Sequence, residues 1–232
     1  LQAKVGDTFK KVKAELQAGK LVLFTGTGCQ VNGLKTFLGK DYDNLICIDL
    51  FCHGVPSPKL FNKYIKELES SNNSKVVKYN FRDKKTGLAT YSNTASFEND
   101  NQTSELQSNN SYMRLFLSDI ALRESCYNCH FKKIRRNSDL TIADFWGINE
   151  ILPEFNDEKG ISSLIINSNK GQEIFDNIKS RIDFVEVSIE DIIKHNSPLY
   201  VSVPYNEKRE KFFDYLDNYN FEDIINEFLE NK

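Results

Sequence analysis

The sequence predicts an α/β fold: a mainly parallel sheet flanked by helices, with an inserted β-hairpin and a helical C-terminal tail. Three observations predict it. Two short, continuous apolar runs, LVLFTG (21–26) and NLICIDLF (44–51), are each followed by a helical pattern, as parallel strands joined through crossover helices read. Alternating stretches flank KKTG in the middle of the chain, which marks a hairpin. The closing segments, near 206–217 and 221–230, carry charged helical periodicity.

Taken in order, residues 6–18 form a helix with Phe9, Val12 and Leu16 at helical spacing, stopped by Gly19. LVLFTG is then a strand expected to be buried on both faces. CQVNGLKTFLG is a helix closed by Gly39, and NLICIDLF is a second buried strand. After CHGVPSP comes a helix at about 58–69, with Pro58 suited to its first turn. Two strand–loop–helix units in succession place both strand ends at one edge of the sheet. Cys29 lies just beyond the first strand and Cys52 just beyond the second. Loops at that edge are where open α/β sheets bind ligands.

KVVKYNFRD and LATYSNTASFE read as the arms of the hairpin, and 98–111 as a polar exposed loop. YMRLFLSDIAL (112–122) reads as a helix, DLTIADF and ISSLIINS as strands, 170–180 as a helix and DFVEVS (183–188) as a short strand.

The bulk numbers exclude several functions. The chain has 232 residues, 40% hydrophobic and 27% charged, with net charge −3. No strong field points to nucleic acid, and no apolar run approaches the ~20 residues of a membrane span. We read residues 1–232 as a single domain. The sequence opens on Leu1 rather than Met, which suggests a piece of a longer protein. Five cysteines without a secretory signal argue against a disulfide scaffold and for a reduced, cytoplasmic setting.

Gly26 and Gly28 supply two parts of a dinucleotide fingerprint, but Val31 stands at the third glycine's place and the only acid near the second strand's end is Asp49. A nicotinamide site is therefore disfavoured. The loop and helix start are still able to bind a phosphate, or to serve only as a tight turn. Cys126 and Cys129 form a C-x-x-C, a spacing that lets two thiolates reach one metal or act as a redox dithiol. With Cys29 and Cys52 they make four loop cysteines, a set that suits zinc, an iron–sulfur cluster or no metal at all. Cys47, inside an apolar strand, reads as a core residue. Cys29 at a helix start is also open to a role as a nucleophile. His53 and His130 each follow a candidate ligand, and His195 stands alone. KKIRR (132–136) and Arg82 are candidates for holding the phosphates of a cofactor or an anionic substrate, or are solvated surface. No catalytic residue stands out.

Five segments, VLFTGTGCQVNGLKTFLG, DLFCHGVPSPKLF, FRDKKTG, SCYNCHFK and SDLTIADFWGI, fall in an order that resembles the C-terminal domain of the beta subunit of coenzyme F420 hydrogenases and dehydrogenases. The likeness covers about residues 2–170. It implies an oxidoreductase with a [4Fe-4S] cluster and FAD, passing electrons from a ferredoxin-like partner to a deazaflavin or another small-molecule acceptor. By position, Cys29, Cys52, Cys126 and Cys129 are implied as cluster ligands. Thr25, Gly26, Thr27, Gly28 and Gln30 are implied to lie beside the flavin or cluster. Relatives usually carry proline before the first cysteine; Gly28 here is expected to loosen the loop. Ferredoxin-type cysteine repeats, common in relatives ahead of QAKVGDT, are not in this sequence. Many bacterial relatives occur in polysaccharide synthesis, so the alternative is a non-redox, zinc-stabilised or cofactor-free domain.

Overall fold

The computed structural model of the chain describes residues 3–87, 90–157 and 159–230. In chain order the elements are α1 (Thr8–Gln17), β1 (Val22–Thr27), α2 (Gly28–Leu38), β2 (Leu45–Leu50), α3 (Pro58–Asn72), β3 (Val76–Asp83), β4 (Ser92–Phe97), β5 (Gln102–Leu106) and α4 (Ser111–Leu117). They continue with α5 (Glu124–Tyr127), β6 (Leu140–Asp144), α6 (Ile148–Ile151), β7 (Ser162–Ile166), α7 (Asn169–Ile178), α8 (Ile189–Lys194), α9 (Arg209–Asn218) and α10 (Phe221–Ile225). Among the described residues no helix is long and apolar enough to cross a membrane.

The chain divides into two compact units, each built from separated segments: 3–53 with 129–202, and 54–128 with 203–230. The first holds a four-stranded sheet in the order β1-β2-β6-β7. β1, β2 and β6 are parallel, and β7 joins antiparallel to β6. The expected parallel pair of opening strands is therefore present, with both ends at one edge. α1 and α2 cover one face, where Val12, Leu16, Phe24, Val31, Leu34, Leu38, Leu45 and Cys47 make a buried cluster. Gly39 closes α2 in the left-handed conformation, φ +71°, which glycine adopts without steric cost.

The other face corrects the expectation that β1 is buried on both sides. Successive side chains point to opposite faces: Phe24 is buried, while Leu23 is 58% exposed, with Leu50 and Ile142 also exposed on the neighbouring strands. β1 is an edge strand, and the two helices next to it in sequence both pack on the Phe24 side.

The second unit holds the antiparallel sheet β3-β4-β5. Its core joins Leu60 and Tyr64 of α3, Tyr112, Met113 and Leu115 of α4, and Phe212, Leu216, Phe221 and Ile224 of the tail helices. Tyr64 and Tyr112 stack with ring centroids 5.5 Å apart. Pro58 does sit in the first turn of α3, behind Ser57, whose hydroxyl accepts from the Lys59 N–H. The hairpin forms from β3 and β4, although residues 88–89 of its second arm lie outside the described residues.

Three expectations fail here. Residues 102–106, read as exposed loop, are a third strand paired with β4; QTSEL shows no apolar alternation because both its faces are largely solvated. The helix read as 112–122 ends at Leu117. Ser118 turns its hydroxyl back to the Leu115 carbonyl, and Asp119 adopts φ +64°, which breaks the helical path. Residues 183–188 form no strand: Phe184 and Val185 are about half exposed and no ladder engages them.

Burial pushes the Cys47 thiol up to about 11. The folded state thus keeps a proton that the unfolded chain releases, so this contribution is intact below about pH 9 and is lost as pH rises toward 11. Chemical denaturation at pH 8 and pH 11 should show wild type losing on the order of 2 kcal/mol more than Cys47→Ala over that interval. Equal losses would show that the thiol is not held protonated.

Candidate functional site

β1 ends at Thr27 and α2 starts at Gly28, so Cys29 is the second residue of α2 and is exposed at the carboxyl edge of the sheet. The Thr27 hydroxyl lies 3.1 Å from its sulfur. Cys52, two residues past β2, is half-buried at the same edge. Cys129 is half-buried in the same unit, its N–H donating to the Ser202 hydroxyl at 2.9 Å. Cys126 belongs to the other unit, on the short α5, with its N–H on the Arg123 carbonyl at 2.8 Å. Beside it the Tyr127 hydroxyl donates to the Asp119 carbonyl, and its ring meets Tyr205 edge-on. No cysteine is in a disulfide.

Two candidate groups can be tested against these residues. Four thiols outside any disulfide, none of them fully buried, are the donor chemistry of an iron–sulfur cluster. Among the described residues, no three His, Cys, Asp or Glu side chains converge in a metal-holding arrangement. A phosphate cradle needs open space in front of its glycines, and the loop offers none. A Cβ on Gly26 meets Gln30 Oε1 at 2.9 Å, and one on Gly28 meets Arg136 Nη1 and Asp49 Oδ2 at 3.3 Å and Phe131 at 3.4 Å. Both glycines serve close packing. Gly28 is buried rather than loosening the loop, and it is small because a guanidinium lies against it. Gln30 is likewise committed, its side-chain oxygen accepting from the Thr27 N–H at 3.0 Å.

A buried polar network stands behind this loop. Asp49, near the end of β2, is 2% exposed. One of its oxygens accepts from Arg136 Nη1 at 2.8 Å, the other from the Ser138 and Thr141 hydroxyls at 2.9 and 2.5 Å. Asn167 donates to both of those hydroxyls. Arg136 also donates to the Leu199 carbonyl at 3.0 Å and lies 5.5 Å from the centre of the Phe51 ring. Asp49 is thus unavailable to a ribose, which removes the last support for a nicotinamide site of the Gly-rich fingerprint type. Sequence reasoning noticed Asp49 and Arg136 separately and missed their pairing; the signal was a carboxylate within an apolar strand, which needs a buried partner.

The rest of KKIRR is divided. Lys132 Nζ donates to the His53 carbonyl at 2.8 Å, while Lys133 and Arg135 are exposed. Arg82 lies in the unit that lacks the TGTG loop, 5.3 Å over the Tyr91 ring. His130 is exposed, and His195 lies against Gly147 with Nε2 3.0 Å from Glu150. On the open face of the four-stranded sheet a crevice of about 420 Å³ is lined by Thr25, Ile48, Leu50, His53, Ile142 and the half-exposed Trp146, among others. Trp146 was not singled out from the sequence.

Parallel strands with Cys29 and Cys52 just beyond their carboxyl ends and a crevice on the open sheet face define an α/β protein whose candidate site lies where ligands usually bind in its class. The chain belongs to the coenzyme F420 hydrogenase/dehydrogenase family defined by the C terminus of the beta subunit, whose sequence model matches residues 19–191. No curated protein matches the chain. Among solved structures it is similar to a chain of the F420-reducing [NiFe] hydrogenase complex from Methanosarcina barkeri, with 14% identity and a TM-score of 0.45. That similarity covers 89% of this chain and 65% of that one.

A Cβ on Gly26 would press on the Gln30 oxygen that accepts from the Thr27 N–H, so substitutions at Gly26 and Gln30 should not add. Gly26→Ala and Gln30→Ala are each expected to lower stability by about 1 kcal/mol, with the double variant costing little more than either alone. Thermal melts of the four proteins measure the coupling, and full additivity would separate Gly26 from the Gln30 contact.

Proposed function

We propose that the chain is the cofactor-bearing domain of an iron–sulfur flavoprotein oxidoreductase. The observation that carries this reading is the family match over residues 19–191, which spans all four loop cysteines, together with their freedom from disulfides. Cys29, Cys52, Cys126 and Cys129 are the residues that would hold a [4Fe-4S] cluster. When bound, such a cluster supplies single electrons that a flavin such as FAD pairs into a two-electron or hydride step.

The chain's own residues bind and orient. Ile48, Leu50, Ile142 and Trp146 present apolar and aromatic surface at the crevice, which suits a planar ring system. Thr25 lines the same crevice and gives a hydroxyl beside that ring. Of the loop residues implied by the family resemblance, Thr25 is the one we assign to the flavin or acceptor; Gly26, Gly28 and Gln30 support the fold of the loop. A deazaflavin is the acceptor suggested by the family, and a ferredoxin-like protein or domain the electron partner.

The natural full-length protein, purified without oxygen, should contain iron and acid-labile sulfide in equal amounts, together with flavin. Cys29→Ser should lose most of the iron while its circular dichroism stays native, and Cys47→Ala should keep it. Stoichiometric zinc with neither iron nor flavin would overturn the reading.

A further inference from the structure

We infer that Arg136 is a positioning residue that sets the relative placement of the three cysteine-bearing segments of the four-stranded unit; this rests on the thiol-ligand reading above. The segment 131–137 starts two residues after Cys129 and touches the neighbourhood of both other cysteines. Arg136 binds Asp49, three residues before Cys52, through Nη1 at 2.8 Å. Lys132 Nζ reaches the carbonyl of His53, the residue next to Cys52, at 2.8 Å. On the other side the Arg136 guanidinium and Phe131 fill the space in front of Gly28, the residue next to Cys29. Asn137 extends that contact by donating to the Asn32 side chain at 2.5 Å, and Asn32 in turn donates to the Gly28 carbonyl at 2.7 Å.

Each of these ties runs from 131–137 to a residue within three positions of Cys29 or Cys52. None of these ties is made by a thiol. The guanidinium suits this task because it is planar, permanently charged and able to donate in two directions at once. Here one nitrogen faces Asp49 and another the Leu199 carbonyl. A lysine has one nitrogen and no fork, so it cannot reproduce both contacts and the wall against Gly28 together. Gly28 is the complement: with no side chain, it lets the guanidinium close against the first turn of α2, where Cys29 stands.

The test uses cobalt(II) alone, titrated into the reduced, cofactor-free full chain, with thiolate-to-cobalt charge-transfer absorbance as the readout. Arg136→Lys and, separately, Lys132→Met are compared with wild type, and circular dichroism checks folding. Lys132→Met removes one tether and leaves the buried ion pair in place, so it covers the case in which Arg136→Lys does not fold. We expect cobalt affinity to fall about 10- to 100-fold in Arg136→Lys, as for groups that orient metal ligands without touching the metal, and by a smaller factor in Lys132→Met. A charge-transfer band in wild type with unchanged affinity in the folded variants overturns the positioning role and leaves the thiol site standing. Absence of the band in wild type overturns both.

Discussion

The four-stranded unit is organised around one buried ion pair, Asp49 with Arg136. Their side chains are 2% and 4% exposed, so both charges have been taken out of water. Desolvation on that scale is offset only when the geometry is good and the remaining lone pairs and protons are used. Asp49 meets the condition with an arginine and two hydroxyls. Arg136 meets it in part, with a carboxylate and a carbonyl on its two terminal nitrogens and an aromatic ring beside it, while its buried Nε makes no hydrogen bond. Removing one partner of such a pair typically costs about 3–5 kcal/mol, because the other charge is left stranded. The pair fixes the end of β2, the first turn of α2 and the loop after Cys129 with respect to one another. It also explains Gly28: the residue beside the first cysteine must be small because the guanidinium occupies the adjoining space.

Much of the frame was legible in the sequence, and the reasons are local. LVLFTG and NLICIDLF are continuous apolar runs with helical patterns behind them, and they became β1 and β2 in parallel. Gly39 and Pro58 punctuated their helices as such residues do. The misreadings share a different cause. QTSEL is a strand because β4 lies beside it, not because its own pattern says so. DFVEVS has the composition of a strand but no neighbour to pair with. The helix after Tyr112 stops where Asp119 turns left-handed, a choice its apolar neighbours Ile120 and Leu122 conceal.

The site divides along the same line. The cysteines were visible because residue type and loop position are written in the sequence. The Asp49–Arg136 pairing was not, because 87 residues separate its members. Nor does residue type reveal which cations of KKIRR are spent on the protein itself. Arg136 is buried and Lys132 holds a carbonyl, while Lys133 and Arg135 face solvent, and only the fold makes that distinction. TGTGCQ reads as a phosphate loop in one dimension; in three, its glycines are covered by Gln30, Phe24, Arg136, Asp49 and Phe131.

The strand order carries a consequence for how the chain is made. In the sheet β1-β2-β6-β7, β2 pairs on one side with a strand that precedes it closely in the chain and on the other with β6, which lies far downstream. Everything from 54 to 128 belongs to a different compact unit. On the ribosome the first two strands therefore wait with an unpaired, apolar edge and an uncompensated Asp49 until Arg136 and β6 emerge. A nascent chain in that state offers a template for pairing with its neighbours. The order of translation thus leaves the β6-facing edge of β2 without its partner over the interval between residues 50 and 144.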